Sequence, residues 1–322
     1  MTGSGGPQLA DACGEVPLPA VVSYAIRRLV ATGYLPRFSA YLSNLGFTQE
    51  QTRAVASLNQ SQLDHLVRDV GERSGWLADP VAHLTASGCT LVLAVADDAE
   101  STIGVAAPDP AATLDRYLEL SVAARLLVGV DPHRPASLSR ALACAEHPCF
   151  GGLALSPYSA QTPVDDDVYT AVFRAAADRG IVLWLHASAH YWPAAPIDVS
   201  HPIRIDRVLS RYPGLRLILG HAGWPWTDEA CIVAVRHPQV ALEFSTFSPR
   251  SLLDPGWSLT PLVANRSTLR GRIFFGSGAL SDPRRYTDLV AQLDALPIGS
   301  HAAEWRGSSL IHWLEDVHGS GY

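Results

Sequence analysis

Short apolar runs alternate with amphipathic stretches along nearly the whole chain. The runs are Leu9–Cys13, Thr90–Ala96, Leu126–Val130, Gly151–Leu155, Ile181–His186, Leu215–His221, Val240–Ser245 and Arg272–Ser277. They are apolar at consecutive positions, which is the pattern of strands buried on both faces. Between them, helical periodicity or capping signals mark Ala111–Arg125, Pro135–Glu146, Val164–Arg179, Pro202–Arg211, Trp226–Val235 and Asp282–Leu293. Eight such strands separated by helices predict an α/β fold, a (β/α)8 TIM barrel. A doubly wound sheet would want a glycine-rich phosphate turn after its first strand, and Asp11-Ala12-Cys13-Gly14-Glu15 is not one.

One insertion breaks the rhythm. Residues 21–75 separate the first two strands and carry helical patterns at Val21–Thr32 and Thr48–Val70. An insertion after a barrel strand sits at the mouth, so it is expected to form a helical lid. The tail contains one further helix, Ser308–Asp316, expected to close the bottom of the barrel. With no linker or repeat in sight, residues 1–322 read as one domain.

Composition narrows the chemistry. The chain has 322 residues, 48% hydrophobic and 17% charged, with a net charge of −7. Its charges are scattered and form no basic stripe, so no nucleic-acid partner is expected. All 24 basic residues are Arg. Without lysine there is no Schiff base, no covalently held pyridoxal and no carbamylated lysine bridging two metals. The bias is also the composition of a GC-rich bacterial genome. The N-terminus shows neither a basic segment nor an apolar core of signal-peptide type, and no run is long enough to cross a bilayer. Five cysteines without zinc-ribbon spacing read as reduced thiols, so the expected setting is cytoplasmic.

The chemistry concentrates where two strands end on histidine. Ile181-Val182-Leu183-Trp184-Leu185-His186 is one; Leu217-Ile218-Leu219-Gly220-His221-Ala222-Gly223-Trp224-Pro225-Trp226 is the other. A parallel barrel presents such residues together at its C-terminal mouth. Glu15, in a stretch of apolar and small residues at the end of the first strand, is a candidate acid–base group or ligand. Cys13 reads as ligand, nucleophile or core filler. Aromatic residues crowd the two histidines: Trp184, Tyr191, Trp192, Trp224 and Trp226 could wall a pocket for a flat substrate. His190, Ser156 and Ser277 are weaker pocket candidates. Glu243 and Ser245 share a face of the seventh strand, where Glu243 would fix the tautomer of a site histidine.

From Phe150 to Pro283 these motifs resemble the amidohydrolase-related branch of the amidohydrolase superfamily, which includes aminocarboxymuconate-semialdehyde decarboxylase and the resorcylate-type decarboxylases. The similarity rests on Gly151-Gly152-Leu153-Ala154-Leu155-Ser156-Pro157, Leu185-His186, Tyr212-Pro213-Gly214-Leu215, Gly220-His221-Ala222-Gly223-Trp224 and Phe275-Gly276-Ser277. The resemblance implies a metal site built from a His-x-His or Glu-x-His pair on strand one, a histidine each on strands five and six, and an aspartate on strand eight. Here those positions hold Cys13 and Glu15, His186, His221 and Gly278, and the lysine often found on strand four is Ala154. The site is therefore degenerate. Losing the aspartate as general base would cost about 10²–10⁴ in rate; Asp282 is nearby as a substitute but, immediately before Pro283, reads as a helix N-cap.

Three readings follow. The leading one is a metal-independent enzyme using Glu15, His186, His221 and Cys13 for lyase, isomerase, cyclase or hydrolase chemistry on a small cyclic or aromatic substrate. No cofactor is favoured. The alternative is a hydrolase or decarboxylase with a single divalent metal such as zinc on Cys13, Glu15, His186 and His221. The third is a catalytically silent binding or scaffold protein. The expected partner is a small-molecule substrate, with a homodimer implied by the resemblance alone.

Overall fold

The computed structural model describes residues 8–35, 39–278 and 283–316. Eight strands form one sheet in sequence order: β1 (Leu9–Gly14), β2 (Cys89–Val95), β3 (Ala123–Gly129), β4 (Phe150–Leu155), β5 (Leu183–His186), β6 (Leu217–Gly220), β7 (Val240–Glu243) and β8 (Ile273–Phe274). Every neighbouring pair is parallel. Backbone bonds draw the ends of the sheet together: Ala12 N–H donates to Phe275 O at 2.9 Å, and Gly278 N–H to Cys13 O at 2.8 Å. This is a (β/α)8 barrel, as the alternation of runs predicted.

The period-2 geometry of a strand explains its two-sided apolarity. Ala10, Ala12, Leu93, Leu127, Ala154, Trp184, Ile218, Ala241 and Phe274 fill the barrel interior as one cluster. Their neighbours, such as Leu9, Val92, Leu153, Leu185, Leu217 and Leu242, pack outward against the helices. The alanines leave room inside the barrel for the indole of Trp184.

The insertion folds as helices Pro19–Ala31, Ser39–Asn44, Gln49–Ala54 and Gln60–Ser74 around its own small core of Val22, Ile26, Leu42, Leu63, Val67 and Trp76. The single helix expected over Thr48–Val70 is two. The first stops at Ala54 and continues as a single tight turn to Ser57, and Asn59 starts the second with a reciprocal capping box to Gln62. The helix expected over Ala111–Arg125 stops at Tyr117, and β3 begins already at Ala123. At the far end of the chain, helix Ser309–Glu315 inserts Leu310 and Trp313 into the interior cluster, closing the bottom of the barrel. Among the described residues no helix is long and apolar enough to cross a membrane.

Candidate active site

β5 and β6 end together, with His186 in register with Gly220. His221 follows immediately in a left-handed conformation, φ +56°. Such backbone costs on the order of 1–3 kcal/mol for a residue with a side chain. A bond within the barrel holds it: His221 N–H donates to Glu243 Oε1 at 2.9 Å. The turn brings the imidazoles of His186 and His221 edge to face, ring centroids 4.8 Å apart. Trp184, one pleat deeper on β5, stands edge-on to both rings. Its indole fits because residue 220 is glycine; a β-carbon there would lie 2.3 Å from the ring.

The two histidines open onto a cavity of about 400 Å³. Strand ends supply Cys13, Glu15 and Ser156 to its wall; the loops add Tyr158, Trp224 and Phe247; and the insertion contributes Tyr24, Arg28 and Tyr41. Because the insertion and the C-terminal strand ends line one space, the insertion lies at the mouth. Arg28 is the cation on that side. Its Nε is 2.8 Å from Asp97 Oδ2, and its guanidinium lies 5.3 Å from the centre of the Tyr158 ring. Tyr158 in turn packs against His186 with centroids 4.5 Å apart.

Electrostatics keep the imidazoles neutral. Burial, then the neighbouring His221 and Arg28, hold His186 well below the ordinary histidine value. Burial also lowers His221, and the Glu243 carboxylate opposes that shift. The Cys13 thiol is pushed well above its usual range by burial and by Glu243, Asp11 and Glu15, so it stands as a neutral thiol.

Most expected site residues meet here. Cys13, Glu15, Ser156, Trp184, His186, His190, His221 and Trp224 all border the cavity. His190 is a wall: its Nε2 is 2.9 Å from Pro196 O, its Nδ1 accepts from Trp192 N–H, and its ring stacks on Tyr158. Three candidates lie elsewhere. Trp192 packs behind the wall with Tyr34, Tyr158 and Val199. Ser277 points away because its neighbour Gly276 takes the inward position of that strand end; the serine N–H donates to Asp11 Oδ1 at 2.9 Å. Trp226 likewise packs on His201 and is not part of the wall. Asp282 lies outside the described residues. Tyr158, Arg28 and Thr246 are cavity residues the sequence did not single out. The one sequence signal for Tyr158 was its place two residues beyond Ser156 at the end of β4.

The donors do not reproduce the metal centre that the resemblance implies. Among the described residues no three His, Cys, Asp or Glu side chains are grouped to hold an ion. His221 Nδ1 faces Ser245 Oγ at 2.8 Å and Thr246 Oγ1 at 3.1 Å. The strand-eight position, Gly278, carries no side chain, and a β-carbon there would lie 2.6 Å from Thr246 N. The strand-four position, Ala154, packs in the barrel interior.

A family model described as amidohydrolase matches residues 90–312. The chain therefore belongs to the amidohydrolase family. No curated protein matches it in sequence. Among solved structures it is similar to an uncharacterised TIM-barrel protein of Bordetella bronchiseptica, at 16% identity and TM-score 0.64, over 96% of this chain and 99% of that one. It is also similar to 5-carboxyvanillate decarboxylase from Sphingomonas paucimobilis, at 15% identity and TM-score 0.57, with the same coverage of each chain. The Novosphingobium aromaticivorans 5-carboxyvanillate decarboxylase, complexed with manganese and a nitrobenzoic acid, is 14% identical with TM-score 0.57, over 98% of this chain and 97% of that one.

Proposed function

We propose that this protein is an enzyme performing metal-independent acid–base chemistry on a small cyclic or aromatic substrate, with decarboxylation among the reactions that suit it. One observation carries the reading: two imidazoles kept neutral by burial meet 4.8 Å apart on a cavity that also holds Glu15. A neutral imidazole at pH 7 can take a proton from substrate, and a second group beside it can return one. His221 is the base, because Ser245 and Thr246 occupy its Nδ1 and leave Nε2 to act. Glu15 carries the proton in the opposite direction. The wall of Tyr158, Trp184 and Trp224 suits a flat ring, and the relatives named as 5-carboxyvanillate decarboxylases make aromatic acids the first substrates to try. The insertion serves as lid. Its apolar side facing the cavity would exclude water from the ring.

The test is an assay of aromatic acids and their cyclic analogues with protein purified without chelator, repeated after exhaustive chelation. Turnover should survive, and elemental analysis should find far less than one metal per chain. Activity lost on chelation and restored by one divalent ion would overturn the metal-free reading.

A second reading rests on a separate observation. Among the described residues, buried His186 Nδ1 meets no hydrogen-bond partner outside its own residue, a cost of about 1–3 kcal/mol for a polar group. A divalent ion shared with Glu15 would satisfy it, as would a polar substrate atom. The manganese complex of the Novosphingobium decarboxylase makes manganese the ion to add back first.

A further inference from the structure

Behind His221 and its partner Ser245 lies a buried carboxylate, Glu243, to which the acid–base reading gives no role. Glu243 is fully buried inside the barrel. Its Oε1 accepts from Trp184 Nε1 at 3.2 Å, from His221 N–H at 2.9 Å and from Ser245 Oγ at 3.0 Å; its Oε2 accepts from Ser245 N–H at 2.6 Å. Ser245 Oγ is at the same time 2.8 Å from His221 Nδ1. A carboxylate only accepts, and a serine hydroxyl has one hydrogen. If that hydrogen goes to Glu243, Ser245 can meet the imidazole only as an acceptor. With an acceptor at 2.8 Å, His221 Nδ1 is favoured to carry the ring proton, and Thr246 Oγ1 at 3.1 Å can serve as a second acceptor.

Strand eight makes the space. A β-carbon on Gly276 would fall 2.7 Å from Glu243 Oε2, 2.9 Å from Ser245 Cβ and 3.1 Å from Cys13 Cβ. A side chain at that inward position and the Glu243 carboxylate exclude each other. The bare strand-eight backbone and the buried carboxylate on strand seven therefore form one arrangement.

We propose that Glu243 is the positioning residue of this site: acting through Ser245, it locks His221 in the Nδ1–H tautomer and leaves the Nε2 lone pair for the substrate. The proposal deepens the assignment of His221 as base and rests on it for its use, but the tautomer can be measured without any substrate. Glu243 touches no reacting atom; its effect runs through the hydroxyl and through the backbone amide that holds the left-handed turn.

The experiment is ¹⁵N NMR of the histidine rings in the full chain, with the His221 signals assigned by their loss in His221→Gln. The wild-type protein should show His221 with a protonated Nδ1 and an unprotonated Nε2. Ser245→Ala combined with Thr246→Val removes both Nδ1 partners and leaves Glu243 bonded to the amides and to Trp184. That variant should keep its melting temperature within a few degrees, show a mixed or Nε2–H tautomer, and lose about tenfold to hundredfold in kcat with KM little changed. A wild-type His221 protonated on Nε2 overturns the proposal even if the variant does not fold. An unchanged tautomer in a folded variant does the same. A tautomer that shifts while turnover stays at the wild-type level supports the relay and removes His221 as the base, which separates the failure of one idea from that of the other.

Discussion

Glu15 shows how one side chain can serve structure or chemistry, and how the two are told apart. It directly follows the first strand, beside a cavity bordered by both histidines. Glu15→Gln retains the shape and the hydrogen-bonding capacity and removes the ionisable group. If Glu15 moves protons, the variant should melt within a few degrees of wild type and lose about 10² or more in kcat. A large fall in melting temperature with turnover per folded molecule unchanged would assign it to the fold instead. Cys13, two residues earlier, is the contrasting case. Burial and the neighbouring Glu243, Asp11 and Glu15 push its thiol well above the usual range, which disfavours a thiolate, and its side chain packs in the barrel interior.

At the level of elements, the seam between the first and last strands depends on another buried carboxyl group. Asp11 Oδ1 accepts from Cys13 N–H at 3.1 Å and from Ser277 N–H at 2.9 Å, tying β1 to the backbone that follows β8. Burial raises its pKa from 3.8 to about 6, against the lowering effect of those bonds. An acid with a raised folded pKa binds more protons when folded than when unfolded. Stability is then highest below pH 3.8 as far as this group is concerned, and declines as pH rises to about 6, a loss of about 3 kcal/mol in all. Asp11→Asn can still accept at Oδ1 and cannot ionise. Urea unfolding of wild type and variant from pH 4 to pH 7 should show the variant gaining relative to wild type as pH rises, with the difference level above about pH 7. A difference independent of pH would mean that Asp11 does not titrate in this range.

Across the whole molecule, the two ends of the barrel divide the work. The C-terminal mouth carries the histidines and the insertion, while the other end is closed by the C-terminal helix. Trp313 is the main part of that closure: it packs 5.7 Å from Phe274, with Arg216 4.1 Å above its ring. Packing at this end of a barrel serves stability, because active sites form at the opposite, C-terminal face. Trp313→Ala should lower unfolding stability by about 3–5 kcal/mol, measured by denaturant titration. The kinetic constants of the folded fraction should not change. A kinetic defect at equal stability would show that the bottom of the barrel communicates with the mouth.

What the sequence determined by itself was local. Doubly apolar runs placed all eight strands, because burial on both faces leaves a signature along the chain itself. Strand ends placed His186, His221 and Glu15 at one mouth, because every parallel barrel strand delivers its last residue to the same face. The break at Asn59 was not read, because helical periodicity runs on through Thr48–Val70 and hides the cap that divides it. What only the tertiary structure decided lies across strands. That Trp192 stands behind Tyr158, that Ser277 turns outward and that Glu243 occupies the space left by Gly276 all follow from register and closure. A shift of one residue in a strand exchanges its inward and outward side chains. Apolar runs buried on both faces do not reveal that phase, so the inward set was set by the neighbours each strand meets when the barrel closes.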